Sequence, residues 1–370
     1  MGLTLAEIFR QYGPAYRQKY AQQLLPSHLR AMRAIEQCRT AALGGQVYTC
    51  PQCERVEYRY HSCRNRHCPQ CQNVQAQTWL EQQQQFLLPV PYFLLTFTLP
   101  AGLRVFARQR QRLVYAALFR ASAAATQQLA RDPRFIGGHI GMIGVLHTWT
   151  RDLRYHPHVH YLVPAGGLSP DGATWATARK NFFLPVKALS RLFRGQVHHM
   201  LGKATHLPAS VWANEWVVHC KPVGTGQTAL KYLAPYVFRV ALSNRRLVKL
   251  DHDRVTFRYT ASQTGQSKLC TLPVEAFIAR FLQHVLPKSF VKIRYYGFFA
   301  SGQRVRLAAL RQHLASAAGL PPVTASPTNE PIPTAFELQS RNVGACSTPP
   351  NCCPVCGGPL QVHPLPRSPP

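Results

Sequence analysis

The chain has 370 residues and is 46% hydrophobic, enough for two or three domains with a sizeable core. Lys and Arg number 43 against 14 Asp and Glu, a net charge of +29, so a surface that avoids polyanions is excluded and nucleic acid is the expected partner. No apolar stretch reaches the roughly 18–20 residues of a membrane-spanning helix, and no basic amphipathic anchor stands out, so a membrane partner is not expected. The opening MGLTLAEIFRQYGPAY lacks the parts of a secretion signal. These features read as a cytoplasmic protein, whose 12 cysteines are metal ligands rather than disulfides.

Residues 1–45 read as helical, with apolar positions at helical spacing in Leu3 to Phe9 and Leu24 to Cys38. Residues 46–71 are rich in Cys, His and Arg. Cys50-Pro51-Gln52-Cys53 and Cys68-Pro69-Gln70-Cys71 are two knuckles separated by 14 residues, the spacing of a four-thiolate zinc ribbon. His61, Cys63 and His67 are surplus to one tetrahedral ion. They read as ligands of a second zinc, as replacements for a knuckle ligand, or as surface residues. Arg64 and Arg66 form a cationic strip suited to phosphate contact. Residues 72–88 are Gln-rich and helical.

From Pro91 the texture changes. Tyr92 to Leu99 is a buried strand closed by Pro100, and Leu103 to Ala130 a long helix. Ile140 to Thr150 and Tyr155 to Val163 are strands whose short polar connection suggests a hairpin. Trp212 to Lys221 reads as a fourth strand and Thr228 to Val240 as a helix. Leu247–Leu250, Arg254–Tyr259 and Ser267–Thr271 are short strands, followed by a helix over Val274 to Leu286. The class expected is α+β, with an antiparallel-rich sheet and flanking helices. Beyond Ala300 the chain becomes Ala/Arg-rich, then Pro/Thr/Ser-rich from Leu320 to Thr334, which reads as a linker. A tail follows. Its Cys353-Pro354-Val355-Cys356 resembles half of another ribbon, which Cys346, Cys352 or His363 could complete; the alternative is a poorly ordered tail with free thiols. The division is an N-terminal helical and zinc-binding domain over 1–88, a catalytic domain over 89–300, and a linker and cysteine tail over 301–370.

Two motifs carry chemistry. His156-Pro157-His158-Val159-His160 places imidazoles at every second position of a strand, so they share one face and two of them can hold a divalent ion. With 16 histidines, one His-x-His arises by chance about 0.7 times, so spacing alone decides little. Lys231-Tyr232-Leu233-Ala234-Pro235-Tyr236 sets two phenols one helical turn apart. Core packing is the bland account of the pair. Lys231, Arg239, Asn244, Arg245 and Arg246 surround it with cationic and amide groups, as attack on a phosphate requires.

In this order the residues resemble the two-tyrosine HUH transposases of the insertion-sequence-ninety-one type, rolling-circle enzymes with an N-terminal zinc-binding domain. The resemblance reaches to about Ala300. It rests on Ala41 to Gly45, Ser62 to Pro69, Pro91-Tyr92-Phe93, Thr98-Leu99-Pro100 and Leu146-His147-Thr148-Trp149. It continues through His156 to Pro164, Tyr232 to Tyr236, Ala241 to Leu247 and Arg294 to Gly297. It implies that His158 and His160 are the HUH pair binding Mg²⁺ or Mn²⁺, and that Tyr232 and Tyr236 are nucleophiles. Each would cut single-stranded DNA at element ends and target, leaving a 5′-phosphotyrosine and a free 3′-hydroxyl in a bacterial, nucleoid-associated setting. A third metal ligand is then expected. The hairpin register favours His147, ahead of His156 and Gln227. Family members commonly carry a basic residue where this chain has Pro235. Proline inside a helix costs about 3 kcal/mol and kinks it, which favours Tyr232 as first nucleophile. Two other classes compete: a zinc-ribbon DNA-binding protein with an inactive catalytic half, and a metal-dependent hydrolase using water. The shortage of carboxylates counts against the hydrolase.

Overall fold

Two helices open the chain. Thr4 accepts from the Glu7 amide while Glu7 accepts from the Thr4 amide, a capping box that starts α1 (Leu5–Lys19). Pro26 occupies the first position of α2 (Pro26–Gln37), where its missing N–H would have no partner anyway. Leu5, Ile8 and Phe9 on α1 and Ala31, Met32 and Ile35 on α2 are the buried stripes, and an Arg17–Glu36 ion pair joins the helices. The computed structural model describes residues 2–71, 79–202, 208–228, 230, 241–261, 264–320 and 352–368. Tyr232 and Tyr236, with Lys231 and Arg239, lie outside the described residues, as does Cys346.

A hairpin follows, β1 (Gly45–Thr49) and β2 (Val56–Tyr60), then a short helix α3 (residues 79–84) and β3 (Pro91–Thr98). The long helix expected from Leu103 is broken at Arg110, whose backbone leaves the helical region. It gives α4 (Arg104–Gln109) and α5 (Gln111–Ala130). β4 (Met142–Trp149) and β5 (Tyr155–Pro164) are the expected hairpin. A small hairpin, β6 (Gly166–Leu168) and β7 (Trp175–Thr177), precedes α6 (Val186–Leu201) and α7 (Ala209–Ala213). The fourth strand begins later than expected, as β8 (Val218–Thr225). Trp212 sits in α7 instead, its indole stacked on Trp216 at 5.7 Å.

β9 (Leu247–Asp251), β10 (Arg254–Thr260) and β11 (Ser267–Pro273) form an antiparallel meander, followed by α8 (Val274–Leu282). Then come β12 (Ile293–Tyr296), α9 (Arg304–Ala317) and β13 (Gln361–Leu365). The fold is α+β with antiparallel sheets, as the pattern of elements indicated.

The central sheet runs β12-β4-β5-β3-β8, every neighbour antiparallel. Alternation along its strands makes two faces. Phe93, Leu95 and Phe97 of β3 and Tyr155, Val159 and Tyr161 of β5 enter a core closed by α5 and α6. The other face is apolar at one end, where Ile143, Val145, Leu162 and Ile293 are covered by Trp79, Leu230, Phe298 and the Leu307, Leu310 and Leu314 side chains of α9. α9 thus packs on this sheet, past the boundary expected at residue 300. A second core joins α1 and α2 to the meander and α8 around Phe257, Phe277 and Phe281. Among the described residues no helix is long and apolar enough to cross a membrane.

Candidate active site and metal centres

β5 lies inside the sheet, so residues 158–162 are flanked on both sides. Pairing sets His158 opposite His147 of β4 and Thr98 of β3, and His160 opposite Val145 and Thr96. Val159 and Tyr161 turn to the core, which sends the histidines to the opposite face, beyond the apolar patch. The ring centroids are 5.2 Å apart for His147–His158, 4.8 Å for His147–His160 and 4.9 Å for His158–His160. One nitrogen of each ring lies within 4.8 Å of the others. His147 is 2% exposed and its ring stacks on Trp149 at 5.1 Å.

Outer contacts orient the rings. His158 Nδ1 donates to the His156 carbonyl at 2.7 Å, which leaves its Nε2 with a lone pair. The Thr96 hydroxyl stands 2.9 Å from His160 Nδ1. Burial lowers the pKa of His158 to about 4 and that of His160 to about 3, with the neighbouring His158 and Lys221 adding to the latter. The pair is therefore neutral at pH 7, the state in which imidazole ligates. His156 shares the face but turns its Nδ1 to the Arg104 guanidinium at 2.9 Å and stands outside the trio. Three imidazoles on one face, with His158 and His160 oriented and neutral, fit a divalent ion. Lys221, whose charge helps to lower the pKa of His160, is a further candidate that the sequence reading missed. Its signal is the alternation His219, Lys221 along β8, which aligns it with the histidine face.

The cysteines correct the expected ribbon: the two knuckles do not meet. Cys68 and Cys71 join Cys38, at the end of α2, and Cys63; the Cys38–Cys71 and Cys63–Cys71 sulfurs are each 3.6 Å apart. Cys50 and Cys53 face Cys353 and Cys356 instead. The hairpin explains the separation. Cys50 and Cys53 lie at its tip, whereas Cys38 and Cys63 lie at its base, tied by the Arg39 amide donating to the His61 carbonyl. Five paired residues at ~3.3 Å each put ~15 Å between the two ends. Cys63 is thus a member of the first cluster.

Four further calls are relocated. His67 belongs to neither cluster: its Nε2 accepts from the Leu286 amide at 3.2 Å, and burial with Arg66 and Lys292 nearby depresses its pKa. Arg66 donates to the carbonyls of Pro287 and Phe290 at 2.7 and 2.6 Å, and burial lowers its pKa to about 10, so its guanidinium clamps a turn rather than facing solvent. Asn244 Oδ1 accepts from the Leu5 amide at 3.1 Å. Arg246 donates to the carbonyls of Arg151, Ala241 and Arg258, with its guanidinium over the Phe257 ring. Arg64 and Arg245 are exposed.

Comparison with known proteins places the chain in a family. Residues 141–306, which hold the histidine trio, match the family model described as "Putative transposase", and residues 8–99 match the "Transposase zinc-binding domain" model. A Sinorhizobium fredii protein titled "Putative transposase y4qJ" is 41% identical, covering 93% of this chain and 92% of its own. The transposase for insertion sequence element IS801 of Pseudomonas savastanoi pv. phaseolicola is 32% identical, covering 71% of this chain and 68% of its own. No solved structure matches. The chain belongs to the transposases of the insertion-sequence-ninety-one type with an N-terminal zinc-binding domain. The zinc of that domain fits the four-thiolate cluster Cys38, Cys63, Cys68 and Cys71.

Proposed function

We propose that this transposase nicks and rejoins single-stranded DNA, using Tyr232 and Tyr236 as nucleophiles beside a divalent ion held by His147, His158 and His160. The observation that carries the reading is the histidine trio itself, three imidazoles on one rigid sheet face with no carboxylate among them and with His158 and His160 neutral. The flanks of the tyrosine segment support it. Leu230 is buried on the histidine face of the sheet, while Ala241 and Leu242 pack in the same cluster as Leu153, from the β4–β5 turn next to the trio.

The phenol oxygen attacks the scissile phosphorus in line, a Tyr–O–P bond forms and the P–O3′ bond breaks, and the departing oxygen takes up a proton as the 3′-hydroxyl. A divalent ion held by His147, His158 and His160 would supply Lewis-acid polarisation of a phosphate oxygen. Lys221, whose charge is felt at His160, adds positive charge next to the scissile group. Reversal by a new 3′-hydroxyl restores a phosphodiester, so no nucleotide cofactor is needed. All-imidazole ligation favours Mn²⁺ over Mg²⁺, because the harder ion prefers oxygen.

Incubation with a single-stranded element end and Mn²⁺ should give a covalent protein–DNA adduct that the double variant Tyr232→Phe, Tyr236→Phe cannot form. An adduct that survives in that variant would sink the assignment. Binding without an adduct under any metal would instead indicate a DNA-binding protein with an inactive catalytic half.

A further inference from the structure

We propose that Cys50, Cys53, Cys353 and Cys356 form a second structural zinc site, which staples the C-terminal segment onto the N-terminal hairpin. The Cys50 and Cys356 sulfurs are 3.4 Å apart and those of Cys53 and Cys353 3.6 Å, with all four within 4.8 Å. A tetrahedral zinc with sulfurs at ~2.3 Å sets them about 3.8 Å apart, whereas a disulfide requires about 2.05 Å. These separations are those of thiolates around an ion.

The two knuckles are built alike. The Glu54 amide donates to the Cys50 carbonyl and the Gly357 amide to the Cys353 carbonyl, both at 2.9 Å. The Cys50 amide reaches the Arg55 carbonyl at 2.9 Å, and the Cys353 amide reaches the Gly358 carbonyl at 2.7 Å. Each is a closed Cys-Pro-x-Cys loop, and the two approach from opposite ends of the sequence.

The backbone around the site is fitted for this meeting. β13 pairs antiparallel with β1 from Gly45↔Leu365 to Thr49↔Gln361. Gly44, at φ +67°, lies so close to the returning strand that a Cβ there would sit 2.7 Å from the Leu365 carbonyl oxygen. Yet hydrophobic burial is scant. Among residues 45–60 and the described tail, the buried positions are Gly45, Tyr48, Cys50, Cys353 and Gly358. A three-stranded sheet with so little core needs a metal to hold it. The zinc-binding model ends at residue 99, so its match does not include the tail cysteines.

The test is zinc content of the full chain by native mass spectrometry, in a His158→Ala, His160→Ala background so that the histidine trio contributes no ion. Two zinc ions per chain are expected, falling to one with Cys353→Ala, Cys356→Ala. One ion in the parent, or two retained in the alanine variant, would overturn the proposal. If the alanine variant loses both ions, Cys356→His decides, because histidine can replace a thiolate. Recovery of two ions supports the staple, and persistent loss counts against it.

Discussion

The Thr96 hydroxyl, 2.9 Å from His160 Nδ1, holds the His160 ring from the neighbouring strand. Thr96→Val keeps the shape and removes that contact. Loss of such an outer partner typically weakens metal binding about 10- to 100-fold. Titration calorimetry with Mn²⁺ should show this drop with an unchanged unfolding midpoint, and unchanged affinity would remove Thr96 from the site. His284 shows a second effect at this scale. It is 3% exposed, with Nδ1 3.2 Å from the Thr148 hydroxyl and Nε2 3.2 Å from the Leu153 carbonyl, and burial lowers its pKa to about 4. The unfolded chain takes up this proton near pH 6.5 and the folded one only near 4. The stabilisation is therefore present above about pH 6.5 and lost as pH falls towards 4, by about 3 kcal/mol for this group. Burial lowers His28 to about 4 as well, with the same sign. Urea midpoints from pH 7 to 4 should fall accordingly, less so in His284→Gln, and a flat profile would contradict the burial.

At the scale of elements, Arg66 fixes the turn between α8 and β12 by donating to two carbonyls. Arg66→Ala leaves those oxygens without their partner and should destabilise the protein by about 2–3 kcal/mol in chemical denaturation. A variant as stable as the parent would return Arg66 to the surface strip that the sequence suggested. That exchange shows where sequence reading stopped. The β4–β5 hairpin was legible because alternation and a short polar loop fix register, and register alone puts His147 beside His158. The cysteine pairing was not. Both knuckles read Cys-Pro-Gln-Cys at ribbon spacing, and only the length of the intervening hairpin keeps them apart. α6 carried no capping side chain and holds Gly195 in its interior, which hid it. β13 contains Pro364, which an edge strand tolerates but which argues against a strand when read alone.

For the whole molecule, the +29 charge makes DNA affinity steeply dependent on salt. Arg64 and Arg245 face solvent, so Arg64→Ala, Arg245→Ala should lower the slope of log affinity against log salt by about 1–2 for single strands without loss of stability. Fluorescence anisotropy across a KCl series reads this, and an unchanged slope would place the phosphate path elsewhere. The proposed roles divide the metal sites: zinc at the two cysteine clusters would organise the N- and C-terminal segments, whereas the histidines would serve the reaction. That division gives the most direct measurement: peptide mapping by mass spectrometry of DNA covalently trapped on the parent and on His158→Ala, His160→Ala. The parent should carry a 5′-phosphate ester on Tyr232 or Tyr236 when supplied with Mn²⁺, and the histidine variant should carry none. DNA attached at another residue, or equal attachment in the histidine variant, would contradict the account.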